Sequence, residues 1–173
     1  MGIATILSSA QPVAMDTSAE FANLYERHYA AVYGTALRIT GNPADAEDVL
    51  QTVFLRVLKQ GGRMDPSHAP EPYFRRAATN ASLDLLRRRV SHRETALEEA
   101  HSQTSKEGTA FLKQMLRHAL ASLDPSDAVM FTLRYVEGMT NGELAEMFDQ
   151  EKNSIAVRLH RIRQALQTKL ERM

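Results

Sequence analysis

The chain has 173 residues and carries 21 Lys+Arg against 21 Asp+Glu, so its formal net charge is zero. The length suits one ordinary domain or two small ones, and 43% hydrophobic residues are enough for a folded core. The absence of cysteine excludes a disulfide scaffold, a thiolate zinc site and a cysteine nucleophile. No apolar run approaches the ~18 residues needed to span a bilayer. A short apolar patch at Ile3–Leu7 has no Lys or Arg before it and makes a poor signal peptide. The expectation is a soluble cytoplasmic protein without membrane insertion.

Residues 1–18 are small and polar and read as a loose tail. From Glu20 the pattern turns helical, with Phe21, Leu24, Tyr25, His28, Val32, Ala36 and Leu37 near i, i+3, i+4 spacing. Gly41-Asn42-Pro43 stops this helix and starts the next, with Asn42 as N-cap and Pro43 in the first helical position. Val49, Leu50, Val53, Phe54, Val57 and Leu58 then form a regular apolar stripe that ends at Gly61-Gly62. Residues 60–72 hold three prolines and two glycines, a loop long enough to be functional or disordered. A third helix is expected from about Pro72 to Arg89, and residues 91–108 read as a linker.

The second half carries four more helical signals. Phe111, Leu112, Met115, Leu116, Ala119 and Leu123 form one stripe. Asp124-Pro125 opens a helix that stops at Gly138, and Thr140 with Glu143 makes a capping box for a short helix over about 141–148. Asn153 or Ser154 can cap the last helix, whose seam is Ile155, Leu159, Ile162, Leu166 and Leu170. No stretch alternates with period two for long enough to make a strand. The fold class is therefore all-α: two small helical domains, residues 19–90 and 109–173, joined by a flexible linker.

The zero net charge conceals a pattern. Residues 1–72 are net −3, 73–93 net +5, 94–151 net −7 and 152–173 net +5. Two compact basic stretches in an acidic chain are either solvated helix faces or two anion-binding patches. In the second, a short capped helix, a polar turn and a basic amphipathic helix have the layout of a helix-turn-helix. Lys152, Ser154, Arg158, Arg161 and Arg163 lie on it away from the apolar seam, where they can meet base edges or phosphates. In the turn, Asp149 takes the place of a glycine, and a left-handed conformation there costs on the order of 1 kcal/mol.

In the first basic stretch, Tyr73, Phe74, Arg75 and Arg76 precede Arg87-Arg88-Arg89. Aromatics interleaved with arginine suit unpaired bases; Phe74 as core and arginines at a helix C-terminus is the bland alternative. Asn80 and Asp84 lie one turn apart and suit a polar face. Asp45, Glu47 and Asp48 cluster in a first helical turn, where the helix dipole favours carboxylates without any metal. No nucleophile–base set, phosphate loop or metal-ligand spacing points to an enzyme or a cofactor.

Three segments, GNPADAEDVLQTVFLRVL, YFRRAATNASLDLLRRR and LDPSDAVMFTLRYVEGMTNGELAEMFDQEKNSIAVRLHRIRQAL, occur in this order. They resemble regions 2.1–2.2, 2.3–2.4 and 4 of the extracytoplasmic-function (ECF) group of sigma-70 family sigma factors. The resemblance implies a dissociable subunit that directs RNA polymerase core to promoter DNA. It implies that the second helix docks on a coiled coil of the largest polymerase subunit through Asp45, Asp48, Gln51, Phe54 and Arg56. Recognition and melting of the −10 element would fall to Tyr73, Arg76, Asn80, Asp84, Arg87 and Arg88 with the loop at 61–72. Reading of the −35 element would fall to Ser154, Arg158 and Arg161, with Lys152, His160 and Arg163 beside them. It also implies an anti-sigma factor as partner. Tyr73 stands where the family commonly has Trp, and Asp149-Gln150 replace its usual glycine and apolar turn residues. A conventional helix-turn-helix regulator, acting without being a polymerase subunit, is the competing reading. In the free protein, the acidic stretch at 94–107 is expected to mask the basic helices.

Overall fold

The computed structural model describes residues 17–59, 71–96 and 108–172. The N-terminal tail, most of the Pro/Gly loop and the acidic segment at 97–107 lie outside these residues. Among the described residues there are seven helices and no strand. They are α1 (Thr17–Thr40), α2 (Pro43–Lys59), α3 (Glu71–Ala96), α4 (Gly108–Ala121), α5 (Pro125–Tyr135), α6 (Asn141–Phe148) and α7 (Lys152–Glu171).

Local chemistry sets most of the boundaries. The Asn42 Oδ1 accepts hydrogen bonds from the backbone N–H groups of Ala44 and Asp45, which caps α2 behind Pro43. Asp124 caps α5 in the same way, bonding the N–H groups of Ser126 and Asp127. Thr140 and Glu143 form the reciprocal capping box of α6. Two boundaries differ from expectation. α3 continues past Arg89 to Ala96, because nothing in Val90–Ala96 breaks a helix. α7 begins at Lys152, with Glu151 as N-cap and no side-chain capping bond, so neither Asn153 nor Ser154 caps it.

α1, α2 and α3 pack on one another around Leu24, Val32, Ala36, Val49, Val53, Phe54, Phe74, Ala78 and Ala81. α4 to α7 enclose a second core of Leu120, Met130, Leu133, Leu144, Ile155, Leu159, Ile162 and Leu166. Three first-half residues, Ile39, Leu83 and Leu86, belong to this second core. On α3, Phe74, Ala78 and Ala81 lie on the face opposite Leu83, Leu86 and Val90, as spacing at 3.6 residues per turn requires. α3 is thus buried on both sides, against α1 and α2 on one and against α4 and α5 on the other.

Candidate nucleic-acid interface

The helix-turn-helix is built from α6, a three-residue turn and α7. Asp149 adopts the left-handed conformation (φ 50°, ψ 52°), the turn geometry expected of that position. Its N–H bonds back to Ala145 and Glu146, and the Gln150 N–H donates to the Ala145 carbonyl at 2.9 Å. Leu144, Ile155 and Leu159 are buried beneath the turn and fix how α7 leaves it.

With that seam inward, α7 divides its polar side chains between two flanks. Ser154, Arg158 and Arg161 line one hollow together with Asp124, Asp127, Gln150, Asn153 and Val157. Arg158 is held there: its Nε donates to Asp127 Oδ1 at 2.7 Å and its Nη2 to Ser126 Oγ at 2.9 Å. Ser154 and Arg161 are exposed. Lys152, His160 and Arg163 are exposed as well, but helical spacing puts them round toward the other flank. Val157, 54% exposed between Ser154 and Arg161, went unremarked in the sequence. Its one signal there is an apolar residue standing outside the seam.

On α3, Asp84 and Arg88 are exposed, and Tyr73 and Asn80 are half-buried. The Arg87 Nη1 donates to Asp84 Oδ1 at 3.2 Å, while its Nε and Nη2 are buried with no hydrogen-bond partner. Arg76 is engaged by the second half of the chain. Its Nη1 donates to the Met147 carbonyl at 2.9 Å, and its guanidinium lies 4.6 Å above the Phe148 ring.

α2 and α3 flank a groove lined by Asp48, Gln51, Thr52, Leu55, Arg56, Asp84, Leu85 and Arg88. It joins three expected docking residues to two expected −10 residues. Two other docking expectations are corrected. Phe54 is 3% exposed and packs against Phe21, Tyr25 and Phe74, so it presents nothing to a partner. Asp45 is 3% exposed, and its carboxylate accepts two hydrogen bonds from Arg89. Of the carboxylates at the start of α2, Glu47 and Asp48 face solvent. Among the described residues, no helix is long and apolar enough to cross a membrane.

Two family models match the chain: Sigma-70 region 2 over residues 24–92 and Sigma-70 region 4 over residues 113–166. The ECF RNA polymerase sigma factor SigE of Mycolicibacterium smegmatis is 32% identical over 151 residues, which cover 83% of this chain and 58% of SigE. The chain thus spans little more than half of that relative's length. The RNA polymerase sigma factor CarQ of Myxococcus xanthus is 31% identical over 147 residues, covering 82% of this chain and 83% of CarQ. Among solved structures, the sigma factor RpoE of Bartonella quintana, crystallised with the anti-sigma factor NepR, shares the fold. Its TM-score is 0.50 at 15% identity, over 88% of this chain and 97% of RpoE. The chain belongs to the sigma-70 family of RNA polymerase sigma factors, in its extracytoplasmic-function group.

Proposed function

We propose that this chain binds RNA polymerase core in the bacterial cytoplasm and directs initiation at promoters with −10 and −35 elements. The observation that carries the reading is the pairing, in one chain and in order, of a region 2 match and a region 4 match, each containing a basic helix with exposed arginines. The work done is binding and positioning, not bond-making by this chain.

Region 2 comprises α1 to α3 and region 4 comprises α4 to α7, with the connection between Ala96 and Gly108. Docking on the coiled coil of the largest polymerase subunit falls to the exposed side of α2, through Asp48, Gln51 and Arg56. The −10 element is read by Tyr73, Asn80, Asp84, Arg87 and Arg88, with Arg76 once it is released from Met147. Asn80 has the donor and acceptor pair that suits adenine, and Arg88 suits phosphate. The −35 element is met by the flank carrying Ser154, Arg158 and Arg161, where Val157 suits a thymine methyl group. Lys152, His160 and Arg163 serve the neighbouring backbone. An anti-sigma factor is the proposed inhibitor, since RpoE, which shares the fold, is solved bound to one.

Transcription with purified core polymerase tests this. Promoter-specific transcripts are expected only when the chain is added, with weak specific DNA binding in the absence of core. Tight sequence-specific binding by the chain alone, without a stable core complex, would overturn the reading in favour of a conventional regulator.

A further inference from the structure

We propose that Asp127 and Ser126, which lie outside the helix-turn-helix, are positioning residues that make Arg158 the reader of one guanine in the −35 element. The inference rests on the promoter-directing function proposed above, and it names what sets base preference on the Ser154–Arg161 flank of α7.

Arg158 leaves α7 in its second turn, one turn after Ser154 and one turn before Arg161. Its side chain is 30% exposed and crosses to the start of α5. There the Nε donates to Asp127 Oδ1 at 2.7 Å and the Nη2 donates to Ser126 Oγ at 2.9 Å. The far side of this clamp is itself fixed. Asp124 accepts from the backbone N–H groups of both Ser126 and Asp127, so the two acceptors stand on a capped first turn. Ala128, Val129, Met130 and Leu133 anchor that helix in the core, and Leu159, the next residue on α7, is buried in the same core. Both ends of the clamp are therefore held by packing.

A guanidinium presents its N–H donors in a planar fork. The clamp takes the Nε–H and one N–H of Nη2, the pair along one side of the plane. It leaves the end of the fork, one N–H each from Nη1 and Nη2, for a ligand. That end pair matches O6 and N7 of guanine in the major groove. Adenine places an amino group where guanine has O6, so it cannot accept from both donors. An unclamped arginine must give up rotamer freedom to make this contact, whereas Arg158 has already given it up. The same clamp makes Arg158 a poor phosphate ligand. The Asp127 carboxylate offsets its charge and repels an approaching phosphate, and Asp124 lines the same hollow. The acceptors of a base edge are neutral and carry no such penalty.

In this role Ser126 and Asp127 act through Arg158 and contact no base. An asparagine at position 127 would keep an acceptor for the Arg158 Nε and remove the charge, whereas an alanine removes both. A strut that merely ties α5 to α7 would stabilise these helices without favouring one base over another. Base preference, measured position by position, separates the two roles.

The test uses the full chain in complex with core polymerase and a pool of duplex promoter fragments randomised over the −35 element. Bound fragments are sequenced for wild type, Arg158→Ala, Asp127→Ala, Asp127→Asn and Ser126→Ala, each checked for folding by circular dichroism. Wild type should enrich guanine at one position, and Arg158→Ala should lose that preference. Asp127→Ala should cut it about tenfold at that position alone, the scale of one bidentate base contact. Ser126→Ala should act at the same position more weakly, and Asp127→Asn should keep most of the preference. In NMR spectra of the free chain, the Arg158 Nε–H should exchange slowly with solvent in wild type and quickly in Asp127→Ala. The lack of an Arg158-dependent guanine overturns the proposal, as does its unchanged survival in Asp127→Ala. An equal loss at every position in a folded Asp127→Ala protein overturns it in favour of a strut. If Arg158→Ala weakens all sequences alike and makes the salt dependence shallower, the contact is to phosphate and the proposal is overturned as well. Fast Nε–H exchange in the free wild-type chain removes the clamp itself. Should wild type with core enrich no −35 sequence, the functional reading fails and the guanine assignment with it, while the exchange rate still shows whether Asp127 fixes Arg158.

Discussion

Arg89, about two turns before the end of α3, clamps the carboxylate of Asp45 in the first turn of α2 with two hydrogen bonds. The carboxylate side chain is 4% exposed, while Arg89 is 54% exposed. The bond ties the far end of α3 to the start of α2 and accounts for the burial of an acidic residue in a helical first turn. Removing Arg89 leaves a buried carboxylate short of donors. Arg89→Ala is expected to destabilise the protein by about 2 kcal/mol, read from the urea midpoint. A midpoint within error of wild type would show that water replaces the guanidinium at no cost.

Phe54 and Asp48 should separate folding from docking. Phe54 fills the centre of an aromatic cluster with Phe21, Tyr25 and Phe74. Phe54→Ala is expected to cost about 3–5 kcal/mol of stability, with every activity falling in proportion to the folded fraction. Asp48→Arg changes an exposed side chain and should leave the melting temperature within a few degrees of wild type. Its expected effect is loss of core affinity, measured by co-migration with core polymerase. Equal loss of stability in both variants would reject this division of roles along α2.

The contrast between these two residues shows what was legible in the sequence. Three caps were, because their chemistry is local: Asn42-Pro43, Asp124-Pro125 and the Thr140–Glu143 box each involve residues within three positions; the cap expected at Asn153 or Ser154 was not, since α7 already starts at Lys152. Phe54 was legible as core, since it lies on the stripe of Val49, Leu50, Val53 and Val57; the family resemblance assigned it to docking instead. Asp45 was not legible, because an acid stabilised by a helix dipole and one buried under an arginine 44 positions away look alike. The second buried face of α3 was hidden for a related reason. Thr79 and Ser82 are buried beside Leu83, and Ser82 satisfies its hydroxyl on the Ala78 carbonyl, so the sequence reads as polar and basic where the structure is covered. Thr35 and Arg38, the partners of Glu137, lie up to 102 positions away from it and leave no local trace.

Asp149 carries the only positive φ among the described non-glycine residues. The side chain is exposed, and the left-handed conformation is strained for a residue with a Cβ. Asp149→Gly is expected to raise stability by about 0.5–1 kcal/mol, seen as a higher melting temperature. It also takes an acidic group away from the approach to α7, so affinity of the core complex for −35 DNA should rise, most clearly at low salt. A lower melting temperature would mean that the carboxylate stabilises the turn by contacts that outweigh the backbone strain.

His28 links the region 2 core to pH. Its ring stacks on Phe74 with centroids 4.0 Å apart, and its Nδ1 is buried with no hydrogen-bond partner. Burial lowers its pKa below the ordinary 6.5; the charge of Arg27 lowers it further, and Glu71 opposes them. Above 6.5 the imidazole is neutral in both the folded and unfolded chain, and contributes no pH dependence. As the pH falls through 6.5, the unfolded chain takes up its proton first, so folding becomes less favourable until the lower folded pKa is reached. Stability from this site is therefore present above 6.5 and is lost on acidification, well before most carboxylates titrate. Urea midpoints of wild type and His28→Phe, measured from pH 7.5 down to 5.5, should diverge in shape, with the wild type falling more steeply. The phenyl ring retains the stack on Phe74 and has no proton to gain, so the comparison isolates the titration from the packing. Parallel curves would place the acid sensitivity of region 2 elsewhere and would mean that the buried imidazole accepts its proton without cost.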